Sequence, residues 1–357
     1  MELIKFWKNK NVLVTGHNGF KGSWLSSTLL KLGANVTGIS LPDLTNPSMY
    51  ASLDLNNKVN NINLNIEDYD SLDSAIKDVN PEIIFHLAAQ PLVGESYKFP
   101  RSTFNSNTMG TLNILECIRE NTNIRSSVIV TSDKCYLNQD SKIGYVEDDK
   151  LGGHDPYSAS KAAAEIITQS YIKSYFTKEG DASRGVASAR AGNVIGGGDW
   201  SHDRIIPDIV RSSFEHKKLI IRNPNGVRPW QHVLDSVMGY IKLSEKLFNE
   251  GRDFNGAWNF GPYDYSVKPV IDIIKYFEDT KDLKVDYELT KGELYKETNL
   301  LLLDSTKAIE NIGWKPVWNI DETLDKTYDW YCRFYAGDNI AEFTDKQIDE
   351  YLTHQNQ

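Results

Sequence analysis

The chain of 357 residues has few of the features that mark secreted, membrane-bound or nucleic-acid-binding proteins. It contains three widely spaced cysteines, so the sequence predicts neither a disulfide framework nor a metal site, and it fits a reducing compartment. No apolar run approaches the length of a membrane span, and the N-terminus lacks the pattern of a signal peptide. The net charge is −10 without a block of Lys or Arg, which disfavours a nucleic-acid partner. We therefore expect a cytoplasmic protein that binds neither membrane nor nucleic acid.

What the chain does have is hydrophobic residues at 40% of its positions, enough to bury a sizeable core. Short apolar runs alternate with helical patterns over the first 195 residues. The runs predict strands at 11–15, 35–40, 61–66, 82–87, 127–131 and 186–190. This alternation predicts an α/β fold with a doubly wound parallel sheet of the Rossmann type.

A change of character after about Gly196 predicts a second region, in which glycine- and tryptophan-rich loops separate short strands and helices. We expect residues 1–195 to form a dinucleotide-binding domain. Residues 196–335 are expected to form mainly a smaller α/β substrate-binding region, with some segments returning to the main domain. Residues 336–357 form a polar tail, for which an amphipathic helix is expected.

Three glycines follow the first predicted strand: Gly16, Gly19 and Gly22. In a strand–turn–helix–strand unit, this spacing suits a tight turn, a close backbone approach to a pyrophosphate, and close packing of the helix on the sheet. Ligands of such sheets bind beyond the carboxyl ends of the strands. The predicted dinucleotide contacts are therefore the turn and the neighbouring strand ends: Gly16, His17, Asn18, Gly19, Phe20, Ser40, Asn65, Ile66, Leu87, Ala88, Ala89 and Gln90.

The second predicted strand lacks the carboxylate that usually holds the adenine ribose. It ends at Ser40, and the first acid is Asp43, after Pro42. A serine hydroxyl makes a weaker hydrogen bond to a ribose than a carboxylate does, so we expect a looser hold on the adenosine half. No arginine follows to meet a 2′-phosphate, which favours NAD over NADP.

Tyr157 and Lys161 open a long predicted helix behind Pro156, and their spacing of four places both side chains on one face. An ammonium beside a phenol lowers the pKa of the phenol, so the pair can take the proton of a sugar hydroxyl. Ser132, which follows the fifth predicted strand, can donate a hydrogen bond to the reacting oxygen. These residues suit oxidation of an alcohol beside a bound dinucleotide, which Tyr157 and Lys161 would also contact.

Asp133 and Lys134 directly follow Ser132, and their residue types allow two different roles. They can be an ordinary ion pair in a surface loop. They can also be a second proton-transfer pair, which would permit elimination of water in addition to oxidation. A base at Lys134 requires loss of its proton, which partial desolvation would favour.

Candidate residues for an anionic substrate lie in the second half of the chain. Arginine suits bidentate contacts to phosphate, and the candidates are Arg204, Arg222 and Arg228. Each of them alone can equally be a surface arginine. Asn193 follows the sixth predicted strand and can bind a phosphate or sugar oxygen, or only form a turn.

With these motifs in view, the chain resembles the extended short-chain dehydrogenases/reductases that modify nucleotide sugars, from about residue 8 to about residue 330. The stretches TGHNGFKGSWL (15–25), TSDKCY (131–136) and RPWQHV (228–233) are similar to CDP-glucose 4,6-dehydratases. The related dTDP-glucose dehydratases carry Asp-Glu in place of Asp133 and Lys134, and epimerases of the family carry no such pair. The missing carboxylate on the second strand is shared with the CDP-glucose group.

The resemblance implies conversion of CDP-glucose to CDP-4-keto-6-deoxyglucose and water, with NAD as a cofactor that is regenerated in each cycle. Tyr157, held by Lys161 and Ser132, takes the proton of the 4-hydroxyl. Lys134 is the candidate for removing the C5 proton and Asp133 for protonating the departing 6-hydroxyl, although the two roles can be exchanged. The electrons removed at C4 return to C6.

Two other functions stay open from the residues: a nucleotide-sugar 4-epimerase or simple oxidoreductase, and a non-enzymatic NAD-binding module. A different nucleotide on the sugar is also open. Relatives usually pair through helices that correspond here to residues 102–121 and 156–176, so the resemblance implies a homodimer or homotetramer.

Overall fold

The computed structural model describes residues 2–42, 45–177, 183–221, 223–262, 267–289 and 300–355. Seven parallel strands form the main sheet in the order β10-β6-β5-β4-β1-β2-β3. The strands of the described residues are β1 Asn11–Thr15, β2 Asn35–Ser40, β3 Asn60–Asn63, β4 Ile83–His86, β5 Ser126–Val130, β6 Gly185–Ala191, β7 Asn193–Ile195, β8 Leu219–Ile221, β9 Val227–His232, β10 Gly256–Phe260, β11 Val267–Pro269 and β12 Tyr287–Leu289. The predicted doubly wound parallel sheet is confirmed.

Helices cover both faces of this sheet. The α-helices of the described residues are α1 Glu2–Trp7, α2 Phe20–Lys31, α3 Met49–Ser52, α4 Tyr69–Val79, α5 Val93–Lys98, α6 Pro100–Phe104, α7 Gly110–Glu120, α8 Pro156–Tyr175, α9 Ile205–Phe214, α10 Val233–Glu250, α11 Val270–Lys281, α12 Thr306–Ile312, α13 Ile320–Ala336 and α14 Ile340–Gln355. The position of β1 in the centre of the sheet explains why its sequence is a continuous apolar run. Val12 and Val14 point into one hydrophobic cluster and Leu13 into the other, so both faces are buried.

The strand order reverses between β1 and β4, which are paired in register from Val12 opposite Ile83 to Thr15 opposite His86. The segments that follow β1 and β4 run to opposite faces of the sheet, and their divergence leaves a crevice beyond the carboxyl ends of the two strands. The glycine turn after β1 and the Ala88-Ala89 segment after β4 both lie at this crevice.

Three helical predictions are wrong in detail. The helix expected over residues 102–121 is divided into α6, a π-helical turn at Asn105–Met109, and α7. The sequence pattern also predicts a helix over residues 230–248, but this helix begins only at Val233, because residues up to His232 form β9 and pair with β7. The pattern predicts a further helix over residues 267–277, which begins at Val270 because β11 pairs antiparallel with β9.

Beyond residue 196, the chain contributes to both parts of the molecule. Strand β10 completes the main sheet beside β6, whereas β11-β9-β7 and β12-β8 form two small sheets. The C-terminal residues form α14, whose Ile348 and Tyr351 are fully buried in the larger hydrophobic cluster. Within the described ranges, no helix is both long and apolar enough to cross a bilayer.

Candidate active site

A cavity of about 610 Å³ lies at the carboxyl edge of the main sheet, between that sheet and the small strands. All five predicted catalytic residues line it: Ser132, Asp133, Lys134, Tyr157 and Lys161. It is also lined by most of the predicted cofactor and substrate residues: Gly16, Asn18, Gly19, Phe20, Ser40, Asn65, Ile66, Leu87, Ala88, Ala89, Asn193, Arg204 and Arg228. The fold therefore brings together residues that are up to 212 positions apart, from Gly16 to Arg228.

The glycine turn has room for backbone only. Gly16 has φ +71°, and a Cβ on it would lie 2.7 Å from the amide nitrogen of Ala88. A Cβ on Gly22 would lie 2.1 Å from the Gly16 carbonyl oxygen. Helix α2 begins directly after Gly19, so its first amides lack intrahelical acceptors and are available to a phosphate. The turn thus fits the pyrophosphate of a dinucleotide.

Ser40 supports the same fit at the end of β2. Its side chain is almost fully buried at the cavity, and its hydroxyl has no hydrogen-bond partner among the described residues. A buried hydroxyl without a partner carries a desolvation cost that a ligand oxygen can remove. Ser40 is therefore suited to receive a ribose hydroxyl, in the position where related sheets use a carboxylate.

Two predicted residues of the described ranges, His17 and Gln90, do not line the cavity, and a third lies outside those ranges. The His17 ring is fully buried against Tyr50, and a Cβ on Gly38 would lie 2.2 Å from it, so the ring fills the space that the glycine leaves. The Gln90 side chain is turned to Thr103 and Leu92 by hydrogen bonds of 2.9 Å and 3.1 Å. Arg222 lies outside the described residues.

Tyr157 and Lys161 project from the first turns of α8 into the cavity. The helix is started by Asp155, whose side chain accepts a hydrogen bond from the Ser158 amide at 2.9 Å, with Pro156 in its first position. The Lys161 ammonium donates to the Val130 carbonyl at 3.3 Å. Burial lowers the pKa of Lys161 to about 8, although the nearby Glu165 carboxylate acts to raise it.

Burial raises the pKa of Tyr157 to about 12, against the lowering effect of the Ser132 hydroxyl. The sequence predicted the opposite direction, on the argument that the Lys161 ammonium would dominate. Lys161 forms its hydrogen bond to the Val130 carbonyl instead, and desolvation of the phenol is the larger effect. A positive charge bound beside Tyr157 would lower this pKa again.

Asp133 and Lys134 lie in a short 3₁₀ turn, Asp133–Cys135, that is capped by Ser132. The Ser132 hydroxyl donates to Asp133 Oδ1 at 2.9 Å and accepts from the Lys134 amide at 3.2 Å. Asp133 is nearly fully buried, and burial raises the pKa of its carboxyl. Gly192 lies against this carboxylate, since a Cβ there would be 2.9 Å from Asp133 Oδ2. A buried acid of raised pKa next to a half-buried lysine is suited to proton transfer.

The arginines differ in their surroundings. Arg204 Nη1 donates to Asp199 Oδ2 at 2.7 Å, and the Asp199 carboxylate is the main factor that raises the pKa of Arg204 against burial. Arg204 also lies close enough to Tyr157 to lower the pKa of the phenol. Arg228 Nη1 donates to the Val227 carbonyl at 3.0 Å at the far side of the cavity.

Lys21 is a cavity residue that the sequence reasoning did not single out. Its Nζ donates to the Tyr240 hydroxyl at 3.2 Å, and it forms no ion pair with a carboxylate of the described residues. Burial, together with the charges of Arg204 and Lys161, lowers the pKa of Lys21 to about 7. One feature of the sequence could have indicated a role for Lys21. It lies in the glycine turn and in the first turn of α2, at a helix N-terminus where a positive charge is unfavourable.

Comparisons with known proteins agree with this geometry. A family model described as GDP-mannose 4,6 dehydratase matches residues 13–327. CDP-glucose 4,6-dehydratase from Salmonella typhimurium is 42% identical over 350 residues, which cover 98% of each chain. UDP-glucose 4-epimerase from Drosophila melanogaster is 26% identical over 349 residues, which cover 89% of this chain and 95% of its own.

Among solved structures, dTDP-glucose 4,6-dehydratase from Bacillus anthracis, in complex with NAD, superposes with a TM-score of 0.74. It is 23% identical and covers 91% of this chain and 97% of its own, a likeness that concerns the fold. The glycine turn and the Ser132–Tyr157–Lys161 set on a Rossmann sheet define a dehydrogenase/reductase of the extended short-chain type. The chain belongs to the GDP-mannose 4,6 dehydratase family.

Proposed function

We propose that the chain is an NAD-dependent nucleotide-sugar 4,6-dehydratase that converts CDP-glucose to CDP-4-keto-6-deoxyglucose and water. The observation that carries the proposal is the position of Asp133 and Lys134 at the cavity that also holds Tyr157 and Lys161. Oxidation alone requires only a proton acceptor for the hydroxyl, whereas elimination requires a further acid and base. The 42% identity to a CDP-glucose 4,6-dehydratase over nearly the full length supports the choice of substrate.

The glycine turn, Ser40 and the Ala88-Ala89 segment would hold the dinucleotide. When bound, NAD supplies a reversible acceptor for the electrons of the sugar C4. Tyr157 takes the proton of the 4-hydroxyl, assisted by Ser132, which can donate to the same oxygen. The ketone formed at C4 makes the neighbouring C5 proton acidic enough for a side-chain base to remove.

Lys134 and Asp133 then complete the elimination. Lys134 is half-buried at the cavity and removes the C5 proton in its neutral form, while the buried Asp133 donates a proton to the departing 6-hydroxyl. The raised pKa of Asp133 favours the protonated form that this donation needs. The two groups are adjacent, and the Ser132 hydroxyl is hydrogen-bonded both to the Asp133 carboxylate and to the Lys134 amide. The burial of Asp133 is the reason for assigning the acid to it and the base to Lys134.

The diphosphate of the substrate requires cations, since the net charge of the chain is −10. Arg204 and Arg228 line the cavity and supply them, and Asn193 adds a polar contact. Residues 1–195 would then hold the dinucleotide, and residues 196–335 mainly the nucleotide sugar.

The protein is further proposed to be a cytoplasmic homodimer or homotetramer. Three cysteines without disulfides fit a reducing compartment. Each of the two helical segments that would pair carries two exposed apolar side chains, which such pairing would cover: Phe104 and Met109 on the first, Ile166 and Tyr175 on the second.

A single incubation tests the reaction. The protein and NAD are incubated with CDP-, dTDP-, UDP- and GDP-glucose in separate reactions, and the nucleotide sugars are analysed by mass spectrometry for loss of water and by NMR for the configuration at C4. We expect loss of one water from CDP-glucose, and much less from the others. A product of unchanged mass with an inverted C4 would favour the epimerase instead, which predicts that Lys134→Ala leaves turnover nearly intact.

A further inference from the structure

The loop at residues 196–204, which we call the Arg204 loop, carries Arg204 into the cavity. The Asp199 carboxylate orients this arginine, because Oδ2 accepts from Arg204 Nη1 at 2.7 Å and Oδ1 accepts from the Ser201 amide at 3.0 Å. Asp199 is 3% exposed, whereas the Arg204 side chain is 34% exposed toward the cavity. The orientation of Arg204 therefore depends on whatever fixes Asp199.

Helix α13 fixes Asp199 from behind. The Tyr331 hydroxyl donates to the Asp199 carbonyl oxygen at 2.7 Å, and both residues are buried. Trp330, the residue before Tyr331 on α13, packs against Gly197 of the loop. A Cβ at position 197 would be 2.0 Å from the indole ring, so only glycine allows the loop to lie this close to the helix. Trp200 of the loop packs edge-on against the Tyr331 ring, with centroids 5.2 Å apart. Tyr331 does not line the cavity itself.

Helix α14, the predicted polar tail, holds α13 in this position. Trp330 Nε1 donates to Thr344 Oγ1 at 2.9 Å in a buried contact. The Tyr351 hydroxyl donates to Asp235 Oδ1 at 2.6 Å, which ties the end of α14 to α10. These contacts form a continuous path from the C-terminal helices to the arginine in the cavity.

We propose that Tyr331 is a positioning residue for substrate binding, which acts through Asp199 on Arg204. The proposal rests on the proposed function, because it takes Arg204 as a contact of the nucleoside diphosphate part of the substrate. Loss of the Tyr331 hydroxyl leaves a buried carbonyl without its donor, so the Arg204 loop shifts and the guanidinium loses its orientation. The C-terminal helices are in this sense part of the substrate site.

The test compares Tyr331→Phe with Tyr335→Phe. Both changes remove one hydroxyl from α13, but the Tyr335 hydroxyl donates to the surface residue Glu215 at 3.0 Å and does not contact Asp199. Binding of CDP is measured by calorimetry, and KM and kcat by conversion of CDP-glucose. For Tyr331→Phe we expect the Kd of CDP and the KM to rise about fivefold to tenfold, with a smaller fall in kcat, because Arg204 also lies near Tyr157. Tyr335→Phe should leave all three unchanged.

A double-mutant cycle separates positioning from general weakening of the fold. In an Arg204→Met background, Tyr331→Phe should have almost no further effect on the Kd of CDP, because its route to the ligand is gone. Equal effects in both backgrounds, or an unchanged Kd in the single variant, would overturn the proposal. Should Tyr331→Phe fail to fold, Asp199→Asn takes its place in the same cycle with the same expected coupling to Arg204.

The outcome also separates this inference from the proposed function. If the wild type binds CDP with the predicted coupling but releases no water from CDP-glucose, the dehydratase proposal fails and the positioning role stands. If the wild type converts CDP-glucose but the coupling is absent, the positioning role fails alone. Wild type that does not bind CDP contradicts the positioning role.

Discussion

Arg190 Nη2 donates to Glu165 Oε2 at 2.6 Å, and neither side chain is exposed to solvent. Glu165 lies four residues after Lys161 on α8 and also accepts a hydrogen bond from Ser188 at 2.8 Å. A fully buried ion pair is costly to break from one side, because the remaining charge is left without a partner. The pair thus joins the helix that carries Tyr157 and Lys161 to strand β6 of the main sheet.

We therefore expect Arg190→Met to lower the free energy of unfolding by about 3–5 kcal/mol. The double variant Glu165→Gln/Arg190→Met removes both charges and should recover part of this loss. Urea unfolding of the wild type and of the two variants measures the effect. A single variant as stable as the wild type would show that the pair does not stabilise the fold.

The Asp133 carboxylate lies so close to the backbone of Gly192 that it leaves no room for a side chain there. We therefore expect Gly192→Ala to impair the elimination step. The added methyl would lie 2.9 Å from Asp133 Oδ2 and displace this acid, while the backbone at this position is not in the left-handed region. A displacement of about 1 Å can reduce a rate by about a hundredfold. We expect slower loss of water while Tyr157 still permits oxidation at C4, so reduced nicotinamide should accumulate on the enzyme. Unchanged release of water would contradict the role of Asp133.

Lys21→Met should make the protein more stable at neutral pH. In the unfolded chain a lysine keeps its proton up to about pH 10.4, whereas Lys21 in the fold has a pKa of about 7. Between these values the unfolded state binds more protons, so the contribution of Lys21 to stability rises with pH. The variant should thus be more stable than the wild type by at most about 4 kcal/mol near pH 7, and the difference should shrink toward pH 10. Thermal or urea unfolding at several pH values measures it, and a constant difference would refute the burial of a charged lysine.

Ser40→Ala should weaken binding of NAD without affecting the stability of the free protein. The Ser40 hydroxyl has no partner among the described residues, so its removal costs the fold no hydrogen bond there. If it receives a ribose hydroxyl, its loss should raise the Kd of NAD about threefold to tenfold. Fluorescence titration with the dinucleotide and urea unfolding give the two values. An unchanged Kd would remove Ser40 from the cofactor site.

The sequence was sufficient to predict features that depend on local pattern. The apolar run at β1 has the two-faced burial that marks a parallel strand, and its predicted bounds, like those of β2, match the structure. The candidate catalytic residues come from local pattern as well, because Ser132 follows the end of a recognisable strand and Tyr157 the start of a recognisable helix. Their catalytic roles stay a prediction. All of them line one cavity because the carboxyl ends of parallel strands share an edge.

Features that depend on distant contacts could not be predicted. Nothing near Tyr331 indicates that its hydroxyl reaches Asp199, which is 132 positions away. The pKa of Tyr157 depends on burial by the completed fold, and this overrides the local argument from Lys161. His17 belongs to the glycine turn, yet its ring is buried in the core, where it fills the space beside Gly38 that a larger side chain would occupy. In each case, contacts with residues distant in the sequence determine the conformation or the pKa more than the adjacent residues do.

We propose that Asp133 and Lys134 add an elimination to the oxidation that Tyr157 and Lys161 would perform. Conversion of CDP-glucose in heavy water, with the product analysed by mass spectrometry and NMR, tests this proposal. We expect loss of one water, one solvent deuterium at C5, no net NADH, and loss of this activity in Lys134→Ala. A product that retains its C6 oxygen and carries no deuterium at C5 would contradict it.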